Sequence, residues 1–167
     1  IILMDLKEKI FTTKSDSEFE RIALEVYDFQ SKNNPVYKEY IERLGNSKPS
    51  CLKDIPFLPI SFFKTHTVLS DQNKVDVVFK SSGTGGERSQ HHVSNVHLYT
   101  KAFNQGYEEI IGDPENQVIL ALLPNYQEQG ESSLVFMVDH LIKRTKNKLS
   151  GYFLSNFEDL IKAYDSA

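Results

Sequence analysis

Apolar residues recur at helical spacing through the first third of the chain, then give way to short β-type runs. In SDSEFERIALEVYDFQ (15–30), Phe19, Ile22, Ala23 and Val26 share one face, and Ser15 with Glu18 has capping-box spacing. That pattern predicts a helix. Asn33-Asn34-Pro35 ends it, because proline disfavours helical backbone in the residue before it. PVYKEYIERLG then predicts a short helix with Pro35 in its first turn and Gly45 past its end. The stretch from Pro49 to Pro59 is expected to be a connector. It passes into FLPISFFKTHTVLS, which is aromatic, too marked by proline for a helix interior, and suited to lie across a core surface.

From Val75 the period changes. Val75, Val77, Val78 and Phe79 predict a strand that runs into the glycine-rich loop SSGTGG (81–86), with QHHVS as the return strand. A helix follows, with Ser94 as its expected N-cap and Val96, Tyr99, Phe103, Tyr107 and Ile110 on one stripe; Gly112 and Pro114 stop it. QVILALLP is a near-continuous apolar run, as in a strand covered on both faces. Leu134, Met137, Val138, Leu141 and Ile142 mark an amphipathic helix expected to stop near Gly151. SNFEDLIKAY predicts a last helix, with Ser155 and Glu158 at capping-box spacing.

Strands that alternate with helices predict an α/β layer structure. The expected organisation is a helical N-terminal region over 1–48, then an α/β subdomain over 49–167 that carries the glycine-rich loop. An amphipathic helix so close to the last residue is expected of a fragment of a larger domain.

Composition narrows the class. The chain has 167 residues, 40% hydrophobic and 25% charged, with a formal net charge of -4. A chain of this length buries roughly 70% of its unfolded surface, enough for a real core. The mild negative charge argues against a nucleic-acid partner, which needs a basic face to neutralise phosphates. IKRTKNK (Ile142 to Lys148) fits the polar end of a helix, where cations complement the macrodipole. The single cysteine, Cys51, permits no intrachain disulfide and suits a reducing cytoplasm. No apolar run approaches the ~18 residues of a membrane span, and the opening IILM is too short for a signal-peptide core. A cytoplasmic location is expected.

The glycine loop carries the candidate chemistry. Glycines let backbone amides approach a ligand closely, and hydroxyls add donors that follow an anion. Successive amides in such a loop form a concave nest for phosphate. On composition alone a flexible hairpin serves equally well. No lysine follows Gly86, which excludes the Walker pattern, and the spacing of Gly83, Gly85 and Gly86 does not match the dinucleotide fingerprint.

SSGTGG resembles the phosphate loop of the adenylate-forming enzymes, usually written S-S-G-T-T-G. IPFLPISFFKTHTV before it, SQHHVS after it and GDPENQVILALLPNYQEQGESSLVFMVDHLI further on resemble the acyl-protein synthetase (LuxE-type) branch of that superfamily and its acyltransferase relatives. The resemblance covers most of Ile55 to Ile142. It implies an enzyme that uses ATP and Mg²⁺ to convert a fatty or related carboxylic acid to an acyl-adenylate, then passes the acyl group to a protein thiol or coenzyme A. It further implies that Ser81, Ser82, Gly83, Thr84, Gly85 and Gly86 hold the ATP phosphates, and that Tyr126 and Gly130 in LLPNYQEQG border the acyl pocket or the nucleotide. Gly85 stands where the family has threonine. Arg88 and Ser89 follow Glu87 where the wider superfamily has proline and lysine, so Arg88 is the available cation, in a different shape. Such sites are assembled from more chain than these residues supply. The alternative is a non-catalytic module that keeps the fold to bind a nucleotide or a partner.

Other candidates are weaker. His91 and His92 are adjacent on a predicted strand and point to opposite faces. Asp139 and His140 are neighbours around a helix rather than stacked along it. Neither pair supplies the three or four ligands that zinc takes, so no metal site is expected. No G-x-S-x-G pattern supports a serine hydrolase. Cys51 reads as a small, partly buried connector residue and Lys64 as a lysine that snorkels from an aromatic surface. No general base stands out, and the catalytic residues are not identified by the sequence. Adenylation rests on positioning and charge neutralisation, so it does not require one.

Overall fold

Two helices precede the first proline-marked corner: α1 (Ile2–Lys9) and α2 (Asp16–Asn33). The chain is described by a computed structural model over residues 2–45, 48–70, 74–82, 87–124 and 130–167. Ser15 accepts from the Glu18 amide, as its spacing predicts, at 3.3 Å. The Glu18 carboxylate reaches back to the Lys14 amide, one residue upstream of the cap, at 3.0 Å. Between them they satisfy donors that a helix start leaves open.

At Asn34 one residue serves two helices, one by its backbone N–H and the other by its side chain. Its amide donates to the Gln30 carbonyl and closes α2, while its Oδ1 accepts from Tyr37 N at 3.1 Å and opens α3 (Pro35–Arg43). Pro35 occupies the first turn of α3, where its missing N–H costs nothing. Asn34 is only 5% exposed, so its polar atoms depend on these partners. α3 ends at Leu44, with Gly45 beyond it at φ +98°, a left-handed conformation that glycine adopts without penalty.

The chain divides into two units, Ile1–Val78 with Gly83–Leu98, and Phe79–Ser82 with Tyr99–Ala167. The first unit is centred on Tyr27, Tyr37 and Ile41, with Tyr40, Ile55 and Leu58 packed against them. The Tyr27 and Tyr37 rings meet edge to face at 6.1 Å, and the Tyr37 hydroxyl donates to the Pro56 carbonyl at 2.6 Å. A 3-10 turn (Leu52–Asp54) and a single helical turn, α4 (Phe62–Thr65), interrupt the connector and the aromatic stretch. β1 (Val77–Lys80) and β2 (Gln90–Val93) form a two-stranded sheet, as the sequence pattern anticipates.

α5 (Val96–Ile110) begins with two caps that the sequence did not single out. Asn95, not Ser94, caps it: Oδ1 of Asn95 accepts from the Leu98 amide at 2.9 Å. Asp76, twenty residues back, accepts from the Val96 amide at 3.0 Å and pairs with Lys74 at 2.9 Å. Ile110, expected on the buried stripe, is 82% exposed. Gly112 follows at φ +115° and ends the helical run, and a 3-10 turn (Pro114–Asn116) leads onward.

The second unit contains a parallel strand pair with a helical crossover. β3 (Leu120–Ala121) pairs with β4 (Gly151–Tyr152), and α6 (Ser133–Thr145) lies between them in sequence. The apolar run QVILALLP therefore contributes only two residues to the ladder, and Leu122 is 55% exposed. α6 stops at Lys146, which takes the left-handed cap at φ 52°, rather than near Gly151; that glycine opens β4 instead. α7 (Phe157–Asp165) starts after Asn156 without a side-chain cap, so Ser155 does not play the expected role. Phe79, Tyr99, Phe103 and Phe136 stack into an aromatic core, with Phe79 only 3% exposed. Among the described residues no helix is long and apolar enough to cross a membrane.

Loss of the Asn34 side chain leaves the backbone bond that closes α2 in place and strips the start of α3 of its cap. Asn34→Ala is expected to cost about 1–2 kcal/mol in urea unfolding, and Asn34→Ser, which keeps an acceptor, less than half of that. Asp76 generates a pH signature. Hydrogen bonding from Lys74, then from the Val96 amide, holds its carboxyl below the usual range. Its stabilising contribution is therefore complete above the unfolded value of about 3.9 and lost as pH falls through the lower folded value. Asp76→Asn should melt at a lower temperature at neutral pH, and the gap from wild type should close under acid; a constant gap would remove Asp76 from this role.

Candidate functional site

The strand that enters the glycine loop is held by its last two residues. Phe79 packs its ring at 5.2 Å from Tyr99 and 5.3 Å from Phe136. Lys80 donates its amide to the Glu131 carbonyl at 2.8 Å, and its ammonium pairs with the Glu131 carboxylate. Ser81 and Ser82 follow directly and are exposed. Gly130, also exposed, precedes Glu131, so this unit brings the start of SSGTGG beside the end of LLPNYQEQG. Gly83, Thr84, Gly85, Gly86 and Tyr126 lie outside the described residues.

Beyond the loop, in the first unit, Glu87 and Arg88 are exposed ahead of β2. The Asp76 amide donates to the Val93 carbonyl at 2.8 Å and fixes the far end of that strand. His91 and His92 diverge as neighbours on a strand should. His91 meets the Phe63 ring edge to face at 5.9 Å, whereas Nδ1 of His92 is buried without a hydrogen-bond partner. No three His, Cys, Asp or Glu side chains among the described residues are grouped to hold a metal ion.

Asp139 and His140, adjacent in sequence, serve different neighbours. Asp139 pairs with Lys143 at 2.6 Å and accepts from the Tyr152 hydroxyl at 3.5 Å. Burial first, then the Asp139 charge, pushes the Tyr152 phenol up to about 12. His140 lies edge-on to Phe103 at 5.3 Å, and its Nε2 is 3.2 Å from the Asn104 side-chain nitrogen. Burial, then Arg144 and Lys143, lowers the His140 pKa. Asn104 also accepts from Arg144 at 2.9 Å, and Arg144 pairs with Glu108 at 2.7 Å. The network ties α5 to α6. Cys51 is half-buried beside the 3-10 turn and hydrogen-bonds to Asp54, whose carboxyl the Ser50 hydroxyl and amide hold below its usual range ahead of the thiol. Lys64 is exposed.

The first unit also holds a cavity of about 490 Å³. The α2 face formed by Phe19, Ile22, Ala23 and Val26 makes one wall, and Ile55 to Leu58 makes another. The sequence marked that α2 face as apolar; periodicity alone does not distinguish a face that meets side chains from one that lines a space. Glu131, Asp76 and Asn104 were likewise missed, because their partners are 20 to 51 residues away in sequence.

No protein-family model and no solved structure matches the chain. Over 71 residues it is 39% identical to the long-chain-fatty-acid–luciferin-component ligase of Vibrio harveyi. That stretch is 41% of this chain and 19% of the ligase, so the chain spans only a small part of the relative's length. The similarity links part of this chain to an acyl-activating ligase of the LuxE type.

Proposed function

We propose that the chain is the N-terminal part of an ATP-dependent acyl-activating enzyme that takes a long-chain fatty acid to an acyl-adenylate and then to a thiol. The single observation that carries this reading is the 39% identity to a ligase named for a long-chain fatty acid. The loop SSGTGG at the exit of β1 also supports it. In the first step the fatty carboxylate attacks the α-phosphorus of ATP, and pyrophosphate leaves. In the second, a protein thiol or coenzyme A attacks the acyl carbon, and AMP leaves.

The residues that would serve these steps bind and orient rather than exchange protons. Ser81 and Ser82 present exposed hydroxyls directly after a strand end fixed by Phe79 and Lys80. Such anchoring gives donors a defined direction, which electrostatic catalysis needs. The amides and hydroxyl of Gly83, Thr84, Gly85 and Gly86 would complete a nest for the phosphates. Arg88 would supply the cation that the superfamily places on lysine. Gly130 and Tyr126 would border the nucleotide or the acyl group. Mg²⁺, when bound with the nucleotide, would neutralise phosphate charge that three hydroxyls and one guanidinium leave uncovered.

Gly85 in place of threonine and Ser89 in place of lysine favour a second reading, in which the fold binds a nucleotide or partner without turnover. ATP separates the two. In the full-length protein, ATP with Mg²⁺ at a hundredfold excess over its Kd should stabilise folding by about 2.7 kcal/mol, and fatty acid should drive pyrophosphate release. Arg88→Ala should weaken ATP at least about tenfold, the range of a charge-assisted hydrogen bond. The isolated 167-residue chain is expected to release no pyrophosphate. Stabilisation without turnover in the full-length protein would favour a nucleotide-binding module, and neither effect would defeat the enzyme reading in favour of a partner-binding module.

A further inference from the structure

The cavity beside α2 has walls suited to hydrocarbon alone. No charged side chain lines it. Most hydrogen-bonding groups that reach it already serve the fold: Asn34 caps α3, the Tyr37 hydroxyl is bound to Pro56, Gln30 accepts from Ser70, and Thr13 donates to Lys9; the Tyr27 phenol is the other polar side chain on the wall. An ionised carboxylate placed inside would lose its hydration with no cation in exchange. A guest must therefore be apolar along its buried length and keep any charged end at the mouth.

Volume and rim narrow the guest further. Benzene occupies an engineered apolar cavity of about 150 Å³, which scales this space to a chain on the order of a dozen carbons or more. The volume of about 490 Å³ also lies within the range of small-molecule sites. Phe19 and Phe57, both lining residues, are 53% and 75% exposed, an apolar rim of the kind that marks a ligand groove. Ile22 and Tyr37 form buried floor positions at 4% and 8% exposure.

We propose that this cavity holds the hydrocarbon tail of a long-chain fatty acid, with the carboxylate left outside for reaction. The proposal rests on the acyl-activating reading and adds to it a location for the substrate in the helical N-terminal part. The apolar stripe of α2 then serves as the tail's binding wall.

The test is displacement of cis-parinaric acid, a fluorescent fatty acid, from the full-length protein without ATP. Saturated acids of about six, ten, fourteen and eighteen carbons should compete with affinity that rises severalfold per methylene and levels off once the cavity is full. Ala23→Phe, which fills the space from its wall, should weaken the longer acids at least tenfold and leave the melting temperature unchanged or raised. If that variant misfolds by circular dichroism, Val26→Phe makes the same test. No binding, binding independent of chain length, or binding that a folded filler variant leaves intact would overturn the proposal; the first would also mean that protein segments already occupy the space. Pyrophosphate release in parallel separates the two ideas. Turnover with chain-length selectivity untouched by Ala23→Phe sinks the cavity alone, whereas chain-length-dependent binding lost in the variant, with no turnover, sinks the enzyme reading alone.

Discussion

The corner at Asn34 sets the geometry of the helical unit. Two helices that meet at one residue leave unpaired carbonyls on one side and unpaired amides on the other, and a buried corner has little water to supply them. Asn34 answers both with its own amide and its Oδ1, and Pro35 removes one amide from the problem. Because the residue is 5% exposed, the two bonds are obligatory, and the direction of α3 relative to α2 follows from them. Tyr37, one turn into α3, is thereby delivered against Tyr27 and within reach of Pro56, and the connector is drawn across the face of α2. The cavity is the space this closure leaves unfilled.

A comparable logic holds the second unit, with aromatic packing in the place of a cap. Phe79 buries its ring among Tyr99 and Phe136, so the strand cannot slide by a residue without turning that ring out of the core. The Lys80 amide bond to Glu131 then fixes the last residue before the loop. Polar contacts here act mainly as locators: Arg144 of α6 pairs with Glu108 and donates to Asn104, one turn apart on α5, and a partly exposed ion pair of this kind adds little energy.

Local signals were legible where cause and effect lie within a few residues. Ser15 with Glu18, Pro35 with Gly45, and the strand before the glycine loop form where the pattern puts them. The pattern misled wherever two neighbours competed for one role. Asn95 displaced Ser94, α7 starts after Asn156 with no side-chain cap from either it or Ser155, and Lys146 ended a helix that glycine was expected to end. Each contest turns on backbone angles that composition does not specify. The apolar run before Pro124 was longer than its strand because ladder length depends on the partner, and β4 offers only two residues. Of the candidate site, Ser81, Ser82 and Gly130 are exposed beside the Lys80–Glu131 bond in the second unit, and Arg88 is exposed ahead of β2 in the first. The α2 stripe was plain in the sequence, but the space beside it depends on where Ile55 to Leu58 return.

The phenol of Tyr37 has one more consequence. Burial, then the neighbouring Tyr27 and Tyr40, pushes it up to about 12, so it stays uncharged through neutral and alkaline conditions alike. No carboxylate, amine, guanidinium or histidine side chain lines the chamber it borders. Any acidity profile in the capture of an amphiphile there would belong to the guest's own headgroup, not to the wall that receives its tail.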